Sequence, residues 1–150
     1  MTDPIVKTVV VKCGAAKAFD VFARETSRWW PLDNHSVSAG SGKAALAITI
    51  EPDVGGAVYE TMHDGTRTDW GRVLEYVPGD RLTITWHPGS GADTSTRVSV
   101  VFEDQGAGEC RVTLTHSGWE SWKDKAEDMR GNYNKGWDIV FGERFVACAK

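Results

Sequence analysis

Hydrophobic and polar positions along the chain fall into three regimes. From Ile5 to Lys12 the sequence is rich in β-branched residues and reads as a strand, closed by Gly14. The period then lengthens. Ala15, Ala18, Phe19 and Phe22 recur at helical steps, predicting an amphipathic helix of about two to three turns that ends before Pro31. A loop carrying Ser36, Ser38, Gly40, Ser41 and Gly42 follows, and after it come six short β-rich runs: 45–51, 56–62, 68–77, 81–87, 96–103 and 109–116. Turn signals such as Asp64-Gly65, Pro78-Gly79, Pro88-Gly89 and Gly106-Ala107-Gly108 separate them. Links this short cannot carry parallel crossovers, so the runs predict an antiparallel meander. Beyond Gly118 the helical period returns: Tyr133, Trp137, Val140, Phe141 and Phe145 lie three and four residues apart, the stripe of a long C-terminal helix.

Two turns set the expected register. If Asp64-Gly65 is a two-residue hairpin, Tyr59 faces Trp70 and Glu60 faces Asp69; if Pro78-Gly79 turns the next, Val73 faces Ile84 and Gly71 faces Trp86. The strand period of two then gathers Val58, Glu60, Met62, Asp69, Gly71, Val73, Leu82, Ile84 and Trp86 on one face, and Tyr59, Trp70, Arg72, Tyr76 and Thr85 on the other. The first set is the more apolar and is expected to be the interior. In the last hairpin Val98, Val100, Phe102, Val112, Leu114 and His116 join it. The stripe of the final helix must be buried against something, and this face is what is available. An α+β fold follows, in which a curved antiparallel sheet grips one long helix. A gap between sheet and helix would be a cavity.

Composition narrows the function. One domain spanning residues 1–150 suits the length, and 41% hydrophobic with 25% charged residues is ordinary for a globular chain. A net charge of −4 speaks against a general nucleic-acid binder. No apolar run approaches the roughly 20 residues of a membrane span, and the first residues lack the apolar core of a signal peptide. Three widely spaced cysteines, Cys13, Cys110 and Cys148, read as reduced thiols, so a cytoplasmic location is expected. No Cys/His cluster, HExxH, P-loop, GxSxG or GxGxxG occurs, so neither a metal nor a cofactor is expected. Aromatic content is the feature left over: seven Trp, five Phe and three Tyr need either a core or an apolar ligand to surround.

Candidate chemistry is sparse. Glu60 and Asp69, facing each other on the inner side, would repel unless one is protonated, a cation lies between them, or the register is off by one; the plainer alternative is a carboxylate that reaches water or a backbone amide. Arg144, near the edge of the helix stripe, is a candidate countercharge that can equally snorkel out. His116, inward at a strand end and without a nucleophile or metal partner, reads more readily as a hydrogen-bonded core residue than as a base. Trp29-Trp30-Pro31 follows the first helix and can close a cavity mouth; adjacent residues do not share a helix face, so the two indoles cannot both do that job, and at least one is expected to plug the helix onto the sheet. The expected ligand-contacting set is Trp30, Val58, Glu60, Met62, Asp69 and Val73 from the first part of the chain, with Ile84, Trp86, His116, Tyr133, Trp137 and Phe141 from the rest.

Ala18-Phe19-Asp20-Val21-Phe22 leading to Trp29-Trp30-Pro31, Gly55-Gly56-Ala57-Val58-Tyr59-Glu60, Trp70-Gly71-Arg72-Val73-Leu74, the run Arg111 to Trp119 and Gly136-Trp137 together resemble the START-like (SRPBCC) helix-grip superfamily. Within it the chain is similar to the C-terminal domain of the activator of the heat-shock protein 90 ATPase, over nearly its whole length. The resemblance implies the helix-grip fold, with one or two short helices between the first and second strands. It leaves function broad, since relatives include lipid carriers, polyketide cyclases and aromatases, and hormone-binding proteins. The leading expectation is a module binding a small apolar or aromatic molecule between sheet and C-terminal helix. A cyclase- or aromatase-like enzyme using Glu60 or His116 is the alternative from catalysis, and a co-chaperone module the alternative from surface contact. The co-chaperone carries a further N-terminal domain for which 150 residues leave no room, so ATPase stimulation is not expected. The sequence leaves a chaperone contact and a homodimer open.

Overall fold

The computed structural model describes residues 2–150. A seven-stranded antiparallel sheet in the order β1-β7-β6-β5-β4-β3-β2 curls around the C-terminal helical run. Its strands are β1 (Ile5–Val11), β2 (Ala47–Ile50), β3 (Ala57–Thr61), β4 (Arg67–Val77), β5 (Arg81–Trp86), β6 (Thr96–Gly106) and β7 (Glu109–Ser117). The meander runs from β2 to β7, and β1 adds itself to β7. Two short helices, α1 (Ala15–Ala23) and α2 (Thr26–Trp29), lie between the first and second strands, within the one or two that the resemblance implies, where the helical period alone predicts one. The break lies where Thr26 Oγ1 donates to the Phe22 carbonyl at 2.6 Å, a side-chain bond that competes with continuation of the helix. The C-terminal run comprises a 3₁₀ stretch (Trp119–Lys125), α3 (Ala126–Ile139), a π-helical turn (Val140–Phe145) and α4 (Val146–Cys148).

The expected two-residue hairpins are three-residue loops. His63-Asp64-Gly65 joins Met62 to Thr66, with Gly65 at φ 88°, so that Tyr59 pairs with Asp69 and Glu60 with Thr68. One extra residue in the turn would swing the whole of β4 to the wrong face. A bulge at Trp70 absorbs it, and beyond the bulge Val58 faces Gly71 as expected. The same correction recurs at Pro78-Gly79-Asp80, where a bulge at Leu74 returns Val73 to Ile84. Val58, Glu60, Val73, Leu82, Ile84 and Trp86 are therefore buried, as the pleat requires. The residues between turn and bulge are reversed. Asp69 points to solvent, paired with Arg67 and Arg72, while Trp70 and Tyr76 turn in, the latter edge-on to Phe19 at 5.2 Å.

Gly71 makes the bulge possible, for a reason other than the one the register suggests. A Cβ there would lie 1.9 Å from the Thr85 carbonyl oxygen rather than against the Trp86 ring. The β4 and β5 backbones approach too closely at this point for any side chain, and Arg72 N–H bonds Thr85 Oγ1 at 2.8 Å beside it.

Between sheet and helix lies a cluster of four indoles, Trp30, Trp70, Trp86 and Trp137, in which neighbouring rings sit 5.2 to 6.0 Å apart. Trp29, 5.6 Å from Trp30, also packs on Phe22 and Phe145, which the other indoles do not reach, so the adjacent pair do divide their tasks. Next to the cluster His116 ties β6, β7 and α3 together. Trp137 Nε1 donates to its Nδ1 at 3.0 Å, which leaves the ring proton on Nε2 to be donated to Thr96 Oγ1 at 2.6 Å; Thr96 in turn donates to the Trp86 carbonyl at 3.2 Å. Every polar atom of a neutral imidazole is satisfied, and burial holds its pKa down to about 3.

Two outcomes follow from this packing. Gly71→Ala must push β4 from β5 and is expected to cost about 3 kcal/mol or more, read as a lower urea midpoint; a parent-like midpoint would refute the close approach. His116 has an ordinary pKa of 6.5 when unfolded and about 3 when folded, so across that window the unfolded chain binds the extra proton. Stability is complete above the higher value and falls on acidification, by up to about 1.4 kcal/mol per pH unit. The His116 ring resonances should not titrate between about pH 8 and pH 5, and His116→Gln should flatten the stability slope there, leaving the smaller contribution of His35, also held low by burial.

Candidate functional site

The sheet-to-helix interior holds no ligand space. The void bounded by Trp29, Trp30, Val58, Trp70, Ile84, Trp86, Val98 and Trp137 measures about 10 Å³, less than a water needs. The usable space lies at the mouth above the indole cluster. There a cleft of about 380 Å³ is floored by Trp30, Trp70 and Trp86, walled by Tyr133 of α3, and rimmed by Asn34, His35, Ser36, Val37, Gly40, Pro88 and Gly89. The volume falls in the range of small-molecule sites.

The rim exists because Glu60 pins the loop between α2 and β2. Its two carboxylate oxygens accept from Val37 N at 2.7 Å, Ser38 N at 2.9 Å and Trp70 Nε1 at 3.2 Å. All three partners are donors, so the carboxylate is compensated by backbone and indole rather than by a cation. Arg144, the candidate countercharge, is exposed and makes no ion pair among the described residues. Ser38 Oγ accepts from His63 N at 3.1 Å, and Trp30 Nε1 donates to the His35 carbonyl at 2.7 Å, so the loop is tied to the sheet and to the indole cluster as well.

Polar atoms are few around the cleft. Trp86 Nε1 is shielded from solvent and has no hydrogen-bond partner of good geometry. Burial pushes the Tyr133 phenol upward, with the neighbouring Trp86 N–H acting in the opposite direction, yet no hydrogen bond of good geometry joins the two. His35 is half-buried on the rim; its Nδ1 lies 2.7 Å from Asn34 Oδ1. Burial, then the Arg144 charge, lower its pKa against the opposing pull of Asp33.

Of the residues expected to meet a ligand, only Trp30, Trp86 and Tyr133 reach this cleft. Val58, Ile84 and Trp137 border the filled void, Val73 and Phe141 are core, and Met62 is half-buried outside the cleft. Asp69 stands on the outer face. Glu60 and His116 have their hydrogen-bonding capacity consumed by the fold, which removes the basis for either as the acid or base of a cyclase. The register error hid Trp70, and the rim residues 34–40 carry no periodicity by which a sequence could place them. Among the described residues no group of three or more His, Cys, Asp or Glu is placed to hold a metal, and no helix is long and apolar enough to cross a membrane.

The comparisons with known proteins agree with this architecture. No curated protein matches the chain. Among solved structures, an anthrahydroquino-γ-pyrone synthase, Txn09, complexed with SUM is 30% identical, covering 97% of this chain and 96% of its own, with a TM-score of 0.67. CalC, a self-sacrificing resistance protein from Micromonospora echinospora, is 22% identical, with 98% and 94% coverage and a TM-score of 0.72. The Aha1 dimer from Colwellia psychrerythraea is 16% identical, with 93% and 91% coverage and a TM-score of 0.65. The last two likenesses are of fold. The profile of the family described as activator of Hsp90 ATPase homologue 1-like protein matches residues 13–150, and the chain belongs to that family.

Proposed function

We propose that this protein binds a small, planar, oxygen-bearing aromatic molecule in the cleft above the four indoles. The observation that carries the reading is the cleft itself: about 380 Å³ of space floored by the indoles of Trp30, Trp70 and Trp86 and walled by Tyr133. Asn34 and His35 on its rim bring polar side chains to the oxygens of such a ligand. The surrounding indole faces and the Tyr133 ring suit a flat aromatic partner, which they can meet by stacking or edge contact. Txn09, a relative of similar length, is named an anthrahydroquino-γ-pyrone synthase, and an anthrahydroquino-γ-pyrone is an oxygen-bearing aromatic. The likeness to the Aha1 dimer is one of fold and carries no chaperone contact to this chain. A second, larger groove of about 600 Å³ near Thr85, Arg97, Ser117 and Ser121 is open and hydroxyl-lined; it offers no buried donor lacking a partner.

A dihydroxyanthraquinone is expected to quench the indole fluorescence saturably. Tyr133→Ala, which removes the aromatic wall, should weaken binding about tenfold, the worth of one aromatic contact. Asp69→Asn, on the outer face, should bind as the parent does. Absence of saturable quenching, or equal affinity in Tyr133→Ala, refutes the reading.

A further inference from the structure

Beside the cleft lies a smaller recess, set against the C-terminal helix. It is lined by Trp30, His35, Tyr133, Gly136, Trp137 and Val140 and holds about 40 Å³. Trp30, His35 and Tyr133 border the cleft as well, so the two spaces adjoin and one occupant can reach from the first into the second. We infer that the recess is a subsite for a methyl- or ethyl-sized apolar substituent on the aromatic ligand, and that Gly136 determines this specificity. The inference rests on the ligand reading above and deepens it.

Size sets the first limit. A water needs roughly 10–15 Å³ of such space, and an apolar cavity of about 150 Å³ holds a benzene ring. The recess, at about 40 Å³, lies between the two and admits one or two carbons but no ring. Polarity sets the second. Of the two indoles in its lining, Trp30 donates its N–H to the His35 carbonyl at 2.7 Å and Trp137 donates to His116 Nδ1 at 3.0 Å. His35 Nδ1 lies 2.7 Å from Asn34 Oδ1, and the Gly136 carbonyl accepts from Val140 N–H within the helical run. Water in the recess therefore finds few of the two to four partners it requires, and an apolar group that replaces such a water gains affinity.

Gly136 keeps the recess open. Tyr133, Gly136, Trp137 and Val140 follow one another at steps of three, one and three, which places them on one side of the helical run. A Cβ at Gly136 would meet nothing within 4 Å apart from the helix's own backbone, so no neighbour demands glycine there. Its backbone is helical, so no left-handed turn demands it either. A glycine inside a helix weakens it relative to alanine. What the glycine provides is empty space between Tyr133 and Val140, the reverse of Gly71, where the partner strand excludes any side chain.

1,8-Dihydroxyanthraquinone and its 2-, 3- and 4-methyl congeners, which together offer a methyl group at every inequivalent free ring position, test the subsite by titration of the indole fluorescence. One congener is expected to bind about fourfold more tightly than the unmethylated compound, the worth of burying one carbon. A phenyl group at the same position should forfeit that gain. Gly136→Ala, which sets a methyl group of its own in the recess, should bind the methylated and unmethylated compounds alike, and its urea midpoint should rise above the parent's. A parent that prefers no congener or takes the phenyl compound as tightly as the methyl one overturns the subsite. So does a Gly136→Ala protein that keeps the preference, or one whose midpoint falls, which would make the glycine a requirement of the fold. In each of these cases saturable binding of the unmethylated compound by the parent leaves the cleft reading standing; absence of saturable quenching by all four compounds overturns both.

Discussion

Four indole rings share one layer between sheet and helix, and the remaining architecture is arranged around that crowding. Rings of this size centred 5.2 to 6.0 Å apart leave almost no interstitial volume, so the interior void shrinks to about 10 Å³. A helix-grip fold with smaller residues at Trp30, Trp70, Trp86 and Trp137 would enclose a chamber; here the chamber is filled and the available space is displaced outward to the mouth. Packing of this kind also fixes the polar groups beneath it. Trp137 holds His116 in one tautomer, Trp70 completes the donor set of Glu60, and Trp30 clamps the carbonyl of His35. Three of the four indole N–H groups are thereby committed to the fold. The fourth, on Trp86, is buried beside the Tyr133 phenol.

Trp70 reaches the layer only because β4 is bulged. The strand needs eleven residues to run from Arg67 to Val77, and its two flanking turns each hold one residue more than a tight hairpin. Without bulges the extra residues would put Val73 and Gly71 on the solvent face. With them, only short segments next to the turns are inverted, which exchanges an acidic side chain for an indole. The exchange is favourable on both counts: Asp69 gains solvent and two arginines, and Trp70 gains burial and an acceptor in Glu60.

The limits of sequence reading lie at these same places. Element order, antiparallel pairing and the inward set from Val58 to His116 follow from alternation and turn residues, because burial on one side of a sheet specifies face strongly. Loop length does not. Asp64-Gly65 and Pro78-Gly79 are consistent with either two or three linking residues, and the choice is made by packing that involves Trp70 and Gly71 rather than by the turn itself. Ring count is similarly ambiguous, since fifteen aromatic residues can line a cavity or fill one, and the difference lies in inter-ring distances that composition does not contain. His35 is the hardest case. It sits in an aperiodic loop whose position over the cleft is set from a distance by Glu60, on another strand, so nothing local distinguishes it from His63 or His87.

Glu60 therefore bears on function without facing the cleft. A buried carboxylate that accepts from two consecutive backbone amides of a loop and from an indole of the core couples the position of the rim to the position of the floor. Shifting Trp70 would remove one of its donors, and shifting the loop would remove the other two. Each loss leaves charge less well compensated in a dry environment, at a cost far above that of moving a solvated side chain. The cleft is for that reason expected to keep its shape with or without an occupant, and its selectivity to come from fixed aromatic walls rather than from closure around the ligand.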